Sequence, residues 1–253
     1  MTLPIYSIEH ITTIGKDLEV AGDVLRLSIE ASVDNFARCC HISLYDPSGN
    51  IASDAAQGVD LQFAWSINGD ADQNLFTGKI ADVKRPERNR VDIVAFDDWN
   101  IAQVRKITAT YIDQSPSQML TDLVGKELAV PTDRIAQVDE SLIRLPLFKM
   151  TIAQAVDAIN RRMNLNHKAF IDEDGVFFWG PLDLKQDPAY TFEYGFDLLY
   201  LDLDRKSLTT WGVPIRLGQV VTVIDENQQE HSGVVSAVKI LIDKQGTQVF
   251  ATF

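Results

Sequence analysis

The stretch VDLQFAWSINGDADQNLFTGKIADV, from Val59 to Val83, most limits what this chain can fold into. Val59, Leu61, Phe63, Trp65 and Ile67 alternate with Asp60, Gln62, Ala64, Ser66 and Asn68. A period of two sends successive side chains to opposite faces, so this is a strand with one buried face. NGDADQN then supplies Gly and Asx-type residues for a turn. LFTGKIADV opens a second strand, in which Gly78 predicts a bulge or a close backbone approach. The same alternation recurs at Leu25, Leu27, Ile29 and Ala31, and again at Val91, Ile93 and Ala95. HISLYDPSGN reads as a short strand closed by a turn. About six strands with regular turns in the first hundred residues predict a small barrel or sandwich.

The pattern changes near residue 112. In SPSQMLTDLVGKEL, Ser115, Pro116 and Gln118 form a capping-box start, followed by helix-spaced Leu120, Leu123, Val124 and Leu128. TIAQAVDAINRRMN repeats the logic with Thr151 and Gln154, an apolar stripe from Ile152 to Met163, and Arg161 and Arg162 near the C-terminal end. Asp174-Gly175 is a hairpin signal between KAFID and VFFWG. Phe177, Phe178 and Trp179 are consecutive, so aromatics face both sides of that strand. Either both sides are buried within the chain, or one packs on a neighbouring chain; in the second case Phe177 and Trp179 are the subunit-interface aromatics. From Tyr190 onward, WGVPIRLGQVVTVID, EHSGVVSAVKILID and TQVFATF read as strands. The fold class is therefore mainly β with a small α/β insert. A β region spans 1–110, two helices and a hairpin span 111–182, and a second β region spans 183–253. The two β regions form separate barrel-like domains or pair with each other.

The sequence shows little chemistry. His10, His41, His167 and His231 stand in no metal-binding spacing, and no nucleophile elbow, P-loop or dinucleotide fingerprint occurs. No cofactor, metal site or catalytic residue is expected, and the chain is not expected to be an enzyme. The carboxylate pairs Asp97–Asp98 and Asp172–Asp174 are the residues a glycosidase would need, but turn chemistry accounts for both. The adjacent Cys39 and Cys40 point to opposite faces of a strand and cannot easily bridge, which fits a reducing cytoplasm. The N-terminus lacks a secretory signal pattern, and the apolar runs are too short to span a membrane. A net charge of −13 argues against nonspecific nucleic-acid binding, though not against a repulsive surface along which DNA slides.

Several phrases resemble, in order, the baseplate hub proteins of contractile-tailed bacteriophages, including the Mu-type tail hub and the late control protein D family. They are LRLSIEASVDNFARCCHISLYDP, LFTGKIADV, VDIVAFDDWNIAQVRKITATYIDQSPSQMLTDLV, KMTIAQAVDAINRRMNLNHKAFIDEDGVFFWGP and VPIRLGQVVTVID. The chain is shorter than many such hubs. The resemblance implies two β-barrel domains around a small α/β unit, related to the base of the type VI secretion spike. It also implies a homotrimer whose six barrels form a ring between tail tube and central spike. DNA would pass through that ring without specific binding. The expected location is the virion tail baseplate, assembled in the bacterial host cytoplasm. Two other readings stay open. One is a host-surface or carbohydrate-binding module using Trp179 or Trp211. The other is a cell-wall hydrolase using the acidic pairs.

Overall fold

Alternation becomes strand wherever it is strongest. The computed structural model describes residues 8–16, 18–21, 24–34, 37–69, 71–182, 189–244 and 246–253. The first region contains β1 (Ile8–Ile14), β2 (Leu18–Ala21), β3 (Val24–Ser32), β4 (Cys39–Tyr45), α1 (Asn50–Asp54), β5 (Asp60–Ile67), β6 (Gln73–Glu87) and β7 (Arg90–Phe96). The middle contains α2 (Trp99–Val104), β8 (Lys106–Gln114), α3 (Pro116–Glu127), β9 (Arg134–Ile135), β10 (Leu142–Thr151), α4 (Ile152–Met163), β11 (Lys168–Ile171) and β12 (Phe177–Gly180). The last region contains β13 (Tyr190–Glu193), β14 (Leu198–Asp202), β15 (Ser207–Trp211), β16 (Val220–Ile224), β17 (Glu230–Val234), β18 (Ala237–Asp243) and β19 (Gly246–Thr252). The expected turn residue Asp70, the opening of the N-terminus and the expected boundary at 183 lie outside the described residues.

The two β regions pair. β18 lies antiparallel to β3, with Ile240 opposite Ile29 and Val238 opposite Ala31. This joins them in one eleven-stranded sheet, ordered β14-β15-β19-β18-β3-β4-β7-β6-β5-β1-β2. Among the described residues the sheet is open, with β14 and β2 as its end strands, so hydrogen bonding does not close a barrel. Three further sheets are β10-β8, β11-β12-β9 and β13-β16-β17. The alternation of the opening stretch sets the buried face: Leu61, Phe63 and Trp65 are wholly buried with Leu27, Ile29, Ile42 and Ile93. Gly78 makes the close approach predicted for it. A Cβ there would lie 2.4 Å from the Phe96 carbonyl oxygen.

A second core belongs to the middle of the chain. Both capping boxes form, with Ser115 and Thr151 each accepting from the backbone N–H three residues on. Such caps contribute about 1 kcal/mol each. α3 and α4 bury Leu120, Leu123, Val124, Ile152, Val156 and Ile159 against β8 and β10. This core also takes Trp99, Ala102 and Ile107, so it begins before residue 111, and β8 runs across that expected boundary. The β11–β12 hairpin separates the cores. Phe170 and Phe178 stack at 4.9 Å in the first, while Phe177 and Trp179 enter the second. Of the two readings of this strand, the single chain supports burial of Phe177 and Trp179 within it. Neither reaches the surface of a single chain, because alternation directs both into the helical core.

Candidate functional site

A buried ionic cluster is built from all three regions of the chain. Arg38, just before β4, donates through Nη2 to the Glu173 carboxylate at 3.1 Å and through Nη1 to the Leu75 carbonyl at 2.8 Å. Arg216, between β15 and β16, reaches the other Glu173 oxygen at 3.2 Å. Glu173 sits in the turn of the β11–β12 hairpin and is almost fully buried. Its carbonyl accepts from Asn74 at 2.7 Å and from Thr77 at 3.0 Å. A buried carboxylate is tolerable when paired and hydrogen-bonded on both oxygens, and this one is. Sequence reasoning passed over Glu173 because nothing local marks it. Its partners lie in β regions distant along the chain.

The neighbouring acids have structural work. Asp172 accepts from the N–H groups of Asp174 and Val176, both at 3.0 Å, which forms the turn, and it pairs with Arg134. Asp174 also pairs with Arg134, at 3.1 Å. Asp97 accepts from the N–H groups of Arg38 at 3.0 Å and Trp99 at 3.1 Å. Burial raises its carboxyl to about 7, against the pull of those two donors and of the Arg38 charge. Asp98 pairs with Lys79 at 3.3 Å. Each carboxylate is therefore engaged locally rather than directed with its neighbour into an open cleft.

The histidines stay apart. Burial holds His10 and His167 below the ordinary imidazole range, and each lies against an aromatic ring, Phe63 or Trp179. His231 meets Asp225 at 3.1 Å. Among the described residues no three His, Cys, Asp or Glu side chains group as metal ligands. Cys39 and Cys40 are free thiols on opposite faces of β4. Cys40 enters the first core, and Cys39 lines an apolar groove of about 660 Å³ with Phe96, Tyr200, Leu208 and Phe250. No helix among the described residues is long and apolar enough to cross a membrane.

Two surfaces break the rule that large apolar side chains are buried. On β8 and β10, Ile112 is 61% exposed, Phe148 69% and Ile143 82%. Around the end strand β14, Tyr194, Phe196, Leu199, Tyr200 and Leu203 are all exposed, as is Trp211 on β15. On β8–β10, Ile112 and Phe148 lie on the face turned away from Leu145 and Leu147, while Ile143 lies beyond the end of the core on the other side. Exposed large apolar groups of this kind are candidate contact points. Trp211 is thus available for contact, whereas Trp179 is not.

The fold is one shared by phage tail proteins and a component of the type VI secretion system. No protein-family model matches the sequence, and no curated sequence does. Solved structures match along nearly its whole length. The chain is similar to the 43 kDa tail protein of prophage MuSo2 from Shewanella oneidensis, with a TM-score of 0.73 at 13% identity, covering 97% of this chain and 96% of that one. It is similar to a tail protein from Neisseria meningitidis, with a TM-score of 0.75 at 13% identity, covering 96% and 95%. It also resembles an Escherichia coli component of the type VI secretion system, itself structurally similar to the T4 tail proteins gp27 and gp5. That match has a TM-score of 0.68 at 10% identity and covers 95% of this chain and 75% of the other. At these identities the likeness is one of fold.

Proposed function

We propose that the chain is a structural hub of a phage or prophage tail, a ring-forming adaptor between the tail tube and the central spike. The observation that carries this is the end-to-end agreement in fold with two tail proteins, in which nearly the whole of each chain takes part. A shared fold alone does not fix function. Here the absence of converging catalytic groups among the described residues and the presence of two bare apolar faces agree with an assembly role. Each chain contributes two β regions, one on either side of the β3–β18 junction. In this reading each region curls into a barrel-like unit, and three chains supply six such units. A ring of that kind covers exposed strand edges such as β14 and β2 with neighbours. The net charge of −13 suits a bore that repels the DNA backbone and lets it pass. Assembly would take place in the host cytoplasm and the product would sit in the virion baseplate.

The test is the solution mass of the full chain, by size-exclusion chromatography with light scattering. A stable trimer is expected. A monomer or a dimer at every accessible concentration counts against the hub. For the bore, reversal of acidic residues lining it to Lys should slow DNA ejection, and unchanged ejection would remove that part of the reading. A second reading rests on the exposed Tyr194, Phe196, Tyr200 and Trp211, which a carbohydrate-binding module would use. Binding on a glycan array, lost in Trp211→Ala, would favour it.

A further inference from the structure

The two bare faces differ in charge. On the β8–β10 sheet, cross-strand register pairs Arg144 with Ile112, Pro146 with Thr110, and Phe148 with Thr108. Residues directly opposite each other share a face. Leu145 and Leu147 point the other way into the helical core, so the set with Ile112 and Phe148 faces outward. At the end of the same pair Lys106 is exposed, and the Lys149 ammonium lies 5.3 Å from the Phe148 ring centre. Lys106, Arg144 and Lys149 make no ion pair within the described chain, although acids outnumber bases 36 to 23 overall. Asp113 stands next to Ile112 at the far end of β8. The face is thus apolar and cationic in an acidic protein.

The face around β14 is the opposite. Tyr194, Tyr200 and Leu203 border a depression of about 520 Å³ whose other lining includes Asp202, Asp204, Asp225 and Glu226. Two of these acids have local partners. Asp202 meets Arg205 at 3.7 Å, and Asp225 meets His231. Asp204 and Glu226 are exposed and unpaired within the described chain. Lys206 follows Arg205, and the lining itself contains no cation.

Resting on the hub reading above, we propose that these faces meet between copies of the chain: the cationic β8–β10 face of one seats on the acidic, aromatic β14 face of the next. The two patches are different surfaces, so the contact is heterologous and passes from chain to chain, as a closed ring requires. Complementary potentials fix its direction, and the exposed aromatics supply the apolar centre. Pro146 lacks an N–H in the middle of β10, which disfavours strand addition there and leaves face packing as the mode.

The experiment uses the full chain and sedimentation equilibrium. The variants are Lys106→Glu/Arg144→Glu on one face, Asp204→Lys/Glu226→Lys on the other, and all four together. All are surface positions, and an unchanged near-UV dichroism spectrum certifies the fold of each. Each double variant should raise the dissociation constant of the oligomer by about tenfold or more, because like charges then meet. The fourfold variant, with both faces reversed, should recover. Phe148→Ser should weaken association without changing any charge. If the wild-type chain associates and all variants keep its mass, this interface is wrong while the hub reading stands. Loss in the double variants without recovery in the fourfold variant also overturns the pairing of these two faces. A wild-type chain that never associates removes the ring itself.

Discussion

Arg38 donates to Glu173 at 3.1 Å across 135 positions of sequence, and both side chains are nearly excluded from water. Arg216 completes the cluster from the far β region. One carboxylate therefore ties the hairpin of the middle unit to both halves of the eleven-stranded sheet. Such a tie opposes rotation of the middle unit on the sheet.

Removing the carboxylate should be costly. Glu173→Ala leaves a buried guanidinium at Arg38 with one carbonyl partner, and its Nε already lacks any. Breaking a buried pair from one side typically costs about 3–5 kcal/mol. Urea unfolding should show a loss of that order, and Glu173→Gln should lose less because it keeps the shape and one acceptor. Arg216→Ala should cost less than Arg38→Ala, since Arg216 is partly exposed. Equal stability of Glu173→Ala and wild type would show that the tie is not structural.

Local patterns were readable in the sequence and long-range ones were not. The alternation in β5 and β7, the capping boxes at Ser115 and Thr151 and the Asp174-Gly175 hairpin depend on neighbours within a few residues, and all are present. α1 was hidden by the DPSG turn signal. Asp46 closes that turn by accepting from the N–H groups of Ile51 at 3.3 Å and Ala52 at 3.0 Å, which starts a helix. β8 and β10 were passed over because KITATYIDQ and LIRLPLFKMT break their alternation. Asp113 and Lys149 take positive φ, and the register shifts between Phe148 and Met150. EHSGVVSAVKILID is two strands, β17 and β18, because Val235 and Ser236 turn the chain between sheets. After Trp211 ends β15, GVPIRLG around Pro214 is not a strand. Its residues lead Arg216 to Glu173 instead.

Gly78→Ala should destabilise the sheet. β6 lies between β5 and β7, and a methyl at Gly78 would meet the Phe96 carbonyl oxygen at 2.4 Å and the Phe76 ring at 2.7 Å. The first of these is backbone and cannot rotate away. Overpacking of this kind costs about 1–3 kcal/mol. A drop in denaturation midpoint relative to Gly125→Ala, where nothing crowds the new methyl, is the expected result.

Neither thiol should react readily in the folded chain. Burial, with help from Glu30 and Asp97, pushes Cys39 up to about 11. Cys40 is raised further by its burial in the first core. At pH 8 roughly one Cys39 thiol in a thousand is then a thiolate, the reactive form. A disulfide reagent should label both cysteines promptly only in denaturant. Fast labelling of the native chain at Cys39 would show that the groove beside Phe96 and Tyr200 stabilises negative charge.

Asp97 should make the fold less stable as pH rises toward neutrality. Its carboxyl titrates near 7 in the folded chain, against an ordinary value of 3.8. The folded state therefore holds a proton that the unfolded state has released, and stability falls with pH between those two values and levels off above 7. The cause is burial, which penalises the charged form more than the Arg38 and Trp99 donors favour it. Asp97→Asn cannot ionise and keeps one oxygen to accept one of the two N–H groups. Its urea midpoint should change less than that of the wild type between pH 4.5 and 7.5, and the difference between the two curves isolates this group from the repulsion of the other acids. A wild-type curve that runs parallel to that of Asp97→Asn over that interval would mean that the two backbone donors and Arg38 outweigh burial, with Asp97 ionised throughout.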